Sequence, residues 1–212
     1  MSAIDQAMKR IFVWIFLLLP LAFGCGNDTA FIINQSARID GLHAPWDGLE
    51  DNTVFRCFSD EEWFYFLYEV PDNTITLKEN FQTESDVEPE DRIEIFFVEK
   101  PEMDIYYAAE IDPAGRVLDY RGEYYRKIDY GWNFKTLETL SKILDNSYIV
   151  TGRVRKSELR EMGMNLEKGF RMGVFRADFT PEGNVNWYSA VSSDDESPDF
   201  HKPDMLFPAI MK

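Results

Sequence analysis

Histidine and cysteine are scarce in this chain of 212 residues, which has two of each. His43 and His201 alone leave little room for imidazole acid–base chemistry or for a histidine–cysteine zinc site. There is no Gly-x-Ser-x-Gly elbow, no phosphate-cradling glycine loop and no dinucleotide glycine pattern. The common serine hydrolase, nucleotidase and dinucleotide-binding readings therefore fall away. Basic charge is short as well: 22 Lys and Arg stand against 38 Asp and Glu, a net charge of −16. Without a basic stripe, neither a nucleic-acid backbone nor an anionic lipid surface is a suitable partner.

What the chain does carry is aromatic and carboxylate surface. Aromatic residues make up 15% of it, enough to fill the core of one domain of this length. The acidity reads plainly as solubility, and it leaves neutral ligands and cations open. With 38 acidic residues, some pair will always resemble a glycosidase pair, so carboxylates alone do not argue for an enzyme. No activity of its own is expected, with glycoside hydrolysis as the residual alternative.

Residues 1–24 read as an export signal rather than as part of a fold. Lys9-Arg10 is a positive start, and the apolar run Ile11 to Leu19 is shorter than the about 20 residues of a spanning helix. Leu21-Ala22-Phe23-Gly24-Cys25 resembles a bacterial lipobox. Its leucine stands four residues before the cysteine rather than three, and Phe23 takes a normally small position, so plain secretion and an uncleaved anchor stay open. On the lipobox reading Cys25 carries the lipid anchor. Residues 25–35 are then a tether and 36–212 the folded domain, held at the cell envelope or surface outside the cytoplasmic membrane. Cys57 is left as a small buried hydrophobe, a Cys25–Cys57 disulfide being the alternative.

Short apolar segments at close spacing predict an all-β antiparallel β-sandwich, immunoglobulin-like or jelly-roll-like, with one short helix. Phe55–Phe58 and Trp63–Val70 flank an acidic turn at Ser59-Asp60-Glu61. Ile93, Ile95 and Phe97 alternate against Arg92 and Glu94. Ile105–Ile111 and Arg116–Tyr120 flank Asp112-Pro113-Ala114-Gly115, a turn signal. Tyr148–Val154 and Gly169–Phe179 are further strands, and Asn186–Val191 is expected to be the last. Thr136–Leu144 has apolar residues at helical spacing but ends on the hairpin signal Asp145-Asn146, and is read as a strand. The helix is placed at Ser157–Met162, with Ser157 as N-cap and Gly163 just past its end. Asp72 to Asp91 is a long polar loop.

The entry segment Ile39-Asp40-Gly41…Trp46, the acidic turn before a long aromatic strand, and Asp91-Arg92-Ile93-Glu94-Ile95-Phe96 together resemble the family 9 carbohydrate-binding modules and their DOMON-like relatives. The likeness spans about Ile39 to Ile210 and extends to bacterial surface lipoproteins and to modules attached to xylanases. It implies non-catalytic binding of a polysaccharide or oligosaccharide, in support of capture or degradation. It also implies ligand-facing roles for Glu94 and Glu110. The pattern departs at Ala108, where relatives place an arginine. It departs again at Glu88 and over Asp199–Pro203, where the best-known members place the two tryptophans of a sugar clamp. The family can carry structural calcium, although the likeness names no residue for it here. Glu88-Pro89-Glu90-Asp91 and Asp194-Asp195-Glu196 could offer oxygens, or could simply be solvated acidic loops.

A sugar site needs aromatic platforms for pyranose C–H faces and polar groups for the hydroxyls. Trp132, Tyr124, Tyr125, Trp187 and the Phe200-His201 pair are the candidate platforms. Arg92, Glu94, Glu110 and Asp199 are the candidate hydrogen-bonding groups. Trp63 reads as core and Trp46 as an end-plug, with Trp187 even between core and site. The alternative from a different class is a structural or partner-binding module of an envelope complex, which would show a flat apolar patch instead of a concavity.

Overall fold

The computed structural model describes residues 30–212. In chain order its strands are β1 (Phe31–Ile33), β2 (Ala37–Ala44), β3 (Leu49–Ser59), β4 (Trp63–Pro71), β5 (Arg92–Val98), β6 (Ile105–Ile111) and β7 (Val117–Glu123). They continue as β8 (Lys127–Asp129), β9 (Glu138–Leu144), β10 (Ser147–Arg155), β11 (Phe170–Phe179), β12 (Val185–Ser189) and β13 (Phe207–Met211). One helix, α1 (Lys156–Glu161), lies between β10 and β11. Among the described residues no helix is long and apolar enough to cross a membrane.

The ladder runs β8-β7-β6-β5-β11-β12-β2-β3-β4-β10-β9, and β13 shares the β11 edge with β12. It narrows to a single pairing, Ser189 with His43, where β12 meets β2. About that narrow point the sheet folds over into two layers. Across the core Phe64 of β4 meets Phe97 of β5 edge-on, centroids 5.7 Å apart, and the Tyr68 hydroxyl donates to the Glu94 carbonyl at 2.8 Å. Apart from β1, which pairs β13 in parallel, the pairings are antiparallel. The architecture is the antiparallel β-sandwich that the strand spacing predicts.

Local chemistry explains the two central hairpins. At the β3–β4 turn Asp60 accepts the N–H groups of Glu62 and Trp63 at 2.9 and 2.7 Å and the Tyr65 hydroxyl at 2.9 Å. At the β6–β7 turn Gly115, with φ at +82°, donates its N–H to the Asp112 carbonyl at 2.9 Å. That is a conformation an L side chain resists. This turn sets the register that places Glu110 beside Leu118 on β6 and β7, and the β5–β6 pairing puts Glu94 on the other side of Glu110.

β5 is buried on both faces. Ile93, Ile95 and Phe97 point into the sandwich, as their alternation predicts. Arg92, Glu94 and Phe96 are on the outer face and would meet water in an ordinary sandwich. A roof of C-terminal chain covers them instead. Phe200 stacks on Phe175 at 4.2 Å, and Phe96 meets both Phe175 (5.1 Å) and His201 (5.4 Å) edge-on.

Several expectations need correction. Residues 31–33, assigned to the tether, form β1: Ile33 is fully buried, and the strand adds to the β13 edge. Residues 1–29, which include the expected export signal, lie outside the described residues. Helix α1 begins at Lys156, and Arg155 at its N-cap position makes no side-chain cap. Lys156 still donates its N–H to the Glu62 carbonyl at 2.9 Å, so β10 turns straight into helix with no room for Ser157 as cap. Asn186–Val191 is not the last strand: β13 follows, with Pro208 on its edge pairing, and proline in a run normally argues against a strand. β8 was too short to show a period. Thr136–Leu144 does yield a strand, β9.

Gly152 of β10 sits opposite Phe66 of β4, and a Cβ there would come within 2.1 Å of the Phe66 ring. Gly152→Ala is expected to destabilise the domain by about 1–3 kcal/mol through overpacking. Thermal denaturation checks this, with a fall in melting temperature of several degrees expected.

Candidate functional site

The outer face of β5, β6 and β7 ends in a concave pocket of about 240 Å3. Its floor is the charged end of that face, Arg92, Glu94 and Glu110, with Tyr120 beside them. Trp187 of β12 forms one wall. The other wall is Arg126, Ile128 and Tyr130 from the β7–β8 hairpin and the loop after it. Pro198 to His201 roof it, and Glu88 stands at the mouth.

The floor is a buried charge network. Glu94 and Glu110 are Cα partners on adjacent strands, an arrangement that repels unless compensated. Arg92 compensates it. Its Nε lies 3.0 Å from Glu94 Oε1 and 2.6 Å from Glu110 Oε2, while Nη1 donates to the Glu88 carbonyl at 2.6 Å. Burial, followed by the charge on Glu110, pushes the Glu94 carboxyl up to about 8 against the pull of Arg92. The Tyr120 hydroxyl donates to Glu110 Oε1 at 2.9 Å. Glu110 Oε2 is different: its contact with Arg92 lacks hydrogen-bond geometry, and it has no hydrogen-bond donor among the described residues. A buried acceptor left in this state is costly, and here it is part of the lining of a cavity.

The roof is fastened by Asp199. Its Oδ1 accepts the His201 N–H at 3.0 Å and Arg126 Nη2 at 2.8 Å, and its Oδ2 accepts the Tyr125 hydroxyl. His201 Nδ1 and the Tyr106 hydroxyl share a hydrogen bond of 2.8 Å. Burial, followed by the nearby Arg126 charge, lowers the imidazole to about 4, so it is neutral at ordinary pH.

Seven of the ten residues proposed from sequence therefore line this pocket: Arg92, Glu94, Glu110, Trp187, Asp199, Phe200 and His201. Tyr124 does not; it is exposed beside Tyr125, ring centroids 5.4 Å apart. Tyr125 stands at its edge, half exposed, with its hydroxyl engaged by Asp199. Trp132 does not join them. It packs on Tyr107 and Phe134 at 4.8 Å each, and Tyr107 alternates with Tyr106, away from the pocket side of β6. Within the group Asp199 is occupied by three protein donors and acts mainly as an anchor. Trp187 belongs to the site, with the Arg92 guanidinium 5.5 Å from its ring. Tyr120, Arg126, Ile128 and Tyr130 are lining residues that sequence reasoning missed. Tyr120 was in principle readable from the register that the Gly115 turn imposes. Cys25, the expected lipidation site, lies outside the described residues, and Cys57 is buried in β3.

The calcium expectation can be tested on the acidic groups. Among the described residues, one set of three carboxylates comes close enough to hold a cation: Asp72, Asp91 and Asp178. A cation is already there. Arg176 Nη2 donates to Asp72 and to Asp178 at 3.0 Å each, and Nη1 donates to Asp51 at 2.9 Å. Asp91 accepts the backbone N–H groups of Thr76 and Phe179 at 2.5 and 2.6 Å. A calcium ion, which needs six to eight oxygens, would face a guanidinium charge, so this set does not fit one. The stretch Glu88–Asp91 is no solvated acidic loop either, because Glu90 and Asp91 are buried. Asp194 and Glu196 are exposed, and Asp195 pairs with Lys202 at 2.7 Å.

Calcium addition or chelation is accordingly expected to leave the melting temperature unchanged. Arg176→Met, which strips two buried carboxylates and the half-buried Asp178 of their counter-charge, is expected to cost about 3–5 kcal/mol. Calorimetry with and without EDTA reads both.

The pocket also has an acid signature. Folding lowers the His201 pKa from its ordinary value of 6.5 to about 4. Between those values the unfolded chain binds a proton that the folded chain does not. Stability is then fully present above pH 6.5 and is lost as pH falls toward 4. His201→Asn should remove that part of the slope in a plot of melting temperature against pH.

Comparison with known proteins follows the geometry. The profile described as "Carbohydrate family 9 binding domain-like" matches residues 26–206. The chain belongs to that family. No curated protein matches it. Solved structures that share the fold include the following three. One is a proposed carbohydrate-binding protein of Bacteroides uniformis, at 16% identity over 82% of this chain and 86% of that one, TM-score 0.66. Another is a family 9 carbohydrate-binding module of Caldicellulosiruptor kristjanssonii in complex with glucose, at 14% identity over 82% and 84%, TM-score 0.54. The third is a family 9 module of the same organism with cellotriose, at 12% identity over 82% and 83%, TM-score 0.55.

Proposed function

We propose that this domain is a non-catalytic carbohydrate-binding module, exported and lipid-anchored through Cys25, that serves polysaccharide capture or degradation. The observation that carries the binding reading is a concave pocket that puts the buried Glu110 carboxylate beside Trp187 and the Tyr130 ring. A pyranose fits this chemistry. A hydroxyl would donate to Glu110, and a C–H face would pack on an aromatic wall. Family membership and the sugars named for two similar structures point the same way.

The carboxylates favour binding over bond cleavage. Glu94 and Glu110 stand side by side on neighbouring strands, tied to one Arg92 nitrogen. A glycosidase pair must flank the scissile bond. A concave, partly charged pocket also differs from the flat apolar patch of a partner module.

A glycan array probed with the soluble domain beginning at Gly26 tests the reading. Glu110→Gln and Trp187→Ala are each expected to weaken binding about tenfold. Trp132→Ala, outside the pocket, is expected to leave affinity unchanged in whatever fraction stays folded. Silence from the folded wild type across plant, algal and host glycans would sink the sugar reading and turn attention to envelope protein partners.

A further inference from the structure

The ladder of strands has two ends, and they differ. At one end β8 offers three residues, Lys127 to Asp129. At the other β9 offers seven, Glu138 to Leu144, paired with β10 on one side only. Among the described residues no main-chain N–H or C=O of Glu138–Leu144 bonds to a segment other than β10. The β6–β7 turn meets the strand through a side chain, the Thr139 hydroxyl, which donates to the Gly115 carbonyl at 3.1 Å. A strand left in this state is a template for another strand.

Its side chains are those of a covered strand. Ile143 is 47% exposed and Leu144 39%, and Leu137 and Leu140 are half-buried. Edges that stay single are normally short, or broken by proline and inward charge. Glu138 is held by Arg153 at 2.7 Å. Lys142 is exposed and makes no ion pair among the described residues.

The order of these residues is self-complementary. Residues opposite one another across an antiparallel pair share a face. Ser141 and Ile143 lie opposite the core residues Val150 and Tyr148, and Glu138, Leu140 and Lys142 lie opposite Arg153, Thr151 and Ile149 on the outside. When two copies of β9 run antiparallel with Leu140 on the two-fold axis, Glu138 of each faces Lys142 of the other. On the inner side Leu137 faces Ile143 and Thr139 faces Ser141. Charge meets opposite charge, and apolar meets apolar. Moving the axis to Ser141 sets Lys142 against Leu140 and Glu138 against Leu144. Moving it to Thr139 sets Glu138 against Leu140. Of the axes through β9, Leu140 alone matches the charges.

We propose that β9 is a homodimer edge, pairing antiparallel with β9 of a second copy about Leu140, so that one sheet continues across both domains. The exposed Ile143 is then covered by Leu137 of the other copy. The pocket belongs to the other layer of the sandwich, and none of its lining residues is on β9, so both pockets stay open in the dimer. One strand edge is a small contact, and the dimer is accordingly weak and concentration-dependent.

Sedimentation velocity on the soluble domain beginning at Gly26, from about 1 µM to about 1 mM, tests it over the range of weak interfaces. The wild type is expected to pass from monomer to dimer. Lys142→Glu alone and Glu138→Lys alone each set two like-charged pairs across the axis, and each is expected to weaken the dimer about tenfold. An equal mixture of the two variants has opposite charges at both pairs and is expected to regain wild-type affinity. Both side chains are exposed, and circular dichroism checks that both variants fold. Leu140→Cys reads the register: a mild oxidant should link two chains at the axis, Cys57 being buried, whereas Leu144→Cys, facing Thr136, should not link. A wild type that stays monomeric throughout would overturn the proposal and leave Lys142 as the charge that guards the edge. A dimer indifferent to both charge variants, or a mixture no tighter than either variant alone, would overturn it equally.

Discussion

The guanidinium of Arg92 is the interaction on which the site depends. Two glutamates face one another on adjacent strands of a covered sheet face, where like charges destabilise the pairing and burial penalises each of them. Arg92 stands between them, close to both carboxylates, and the raised Glu94 pKa shows that the compensation is partial. A second buried arginine, Arg176, plays the same part for Asp51, Asp72 and Asp178. Both sit on the β5–β11 pair, where Arg176 is the Cα partner of Ile93, next to Arg92. The domain thus binds its interior acids with its own cations. That is consistent with a fold that has no need of a metal in the Asp72–Asp91–Asp178 group.

Burying that network requires a roof, and the roof creates the pocket. Phe200 packs on Phe175, Trp187 and Trp46, and Asp199 ties the segment to the β7–β8 hairpin through Tyr125 and Arg126. Between the roof and the hairpin the sheet face remains open only above Glu94, Glu110 and Tyr120. The carbohydrate reading and the acid sensitivity of His201 both follow from this covered face.

Much of the fold was legible along the chain. Ile93, Ile95 and Phe97 alternate as a half-buried strand should, Asp60 and Asp112 mark hairpin turns by their ability to cap backbone N–H groups, and Gly115 marks a left-handed position. What failed were β2, read only as an entry segment, and the short or proline-bearing strands. β1, β8 and β13 are defined by the edges they join rather than by a period of their own, so no window of residues displays them. Ser157 was misplaced as a cap because the β10 pairing carries straight into Lys156.

The candidate site was legible in its floor and not in its walls. Arg92 and Glu94 occupy alternating positions of β5, so local pattern puts them on one face, whereas Glu110, on β6, was named through the family likeness and joins them by strand register. The same chain could not say whether that face was wet or roofed, because the answer lies with Phe200 and His201, about a hundred residues away. Nor could it separate Trp187, which lines the pocket, from Trp132, which packs against Tyr107 and Phe134. Both are aromatic residues near turns, and only the tertiary placement of their strands distinguishes them. Sequence by itself determined the sandwich, the acidic surface and the charged strand face, because these follow from periodicity, charge and turn chemistry within a few residues. The concavity and the roof over its charged floor were decided by tertiary structure, because each is made from segments that meet only after the sheet has folded over on itself.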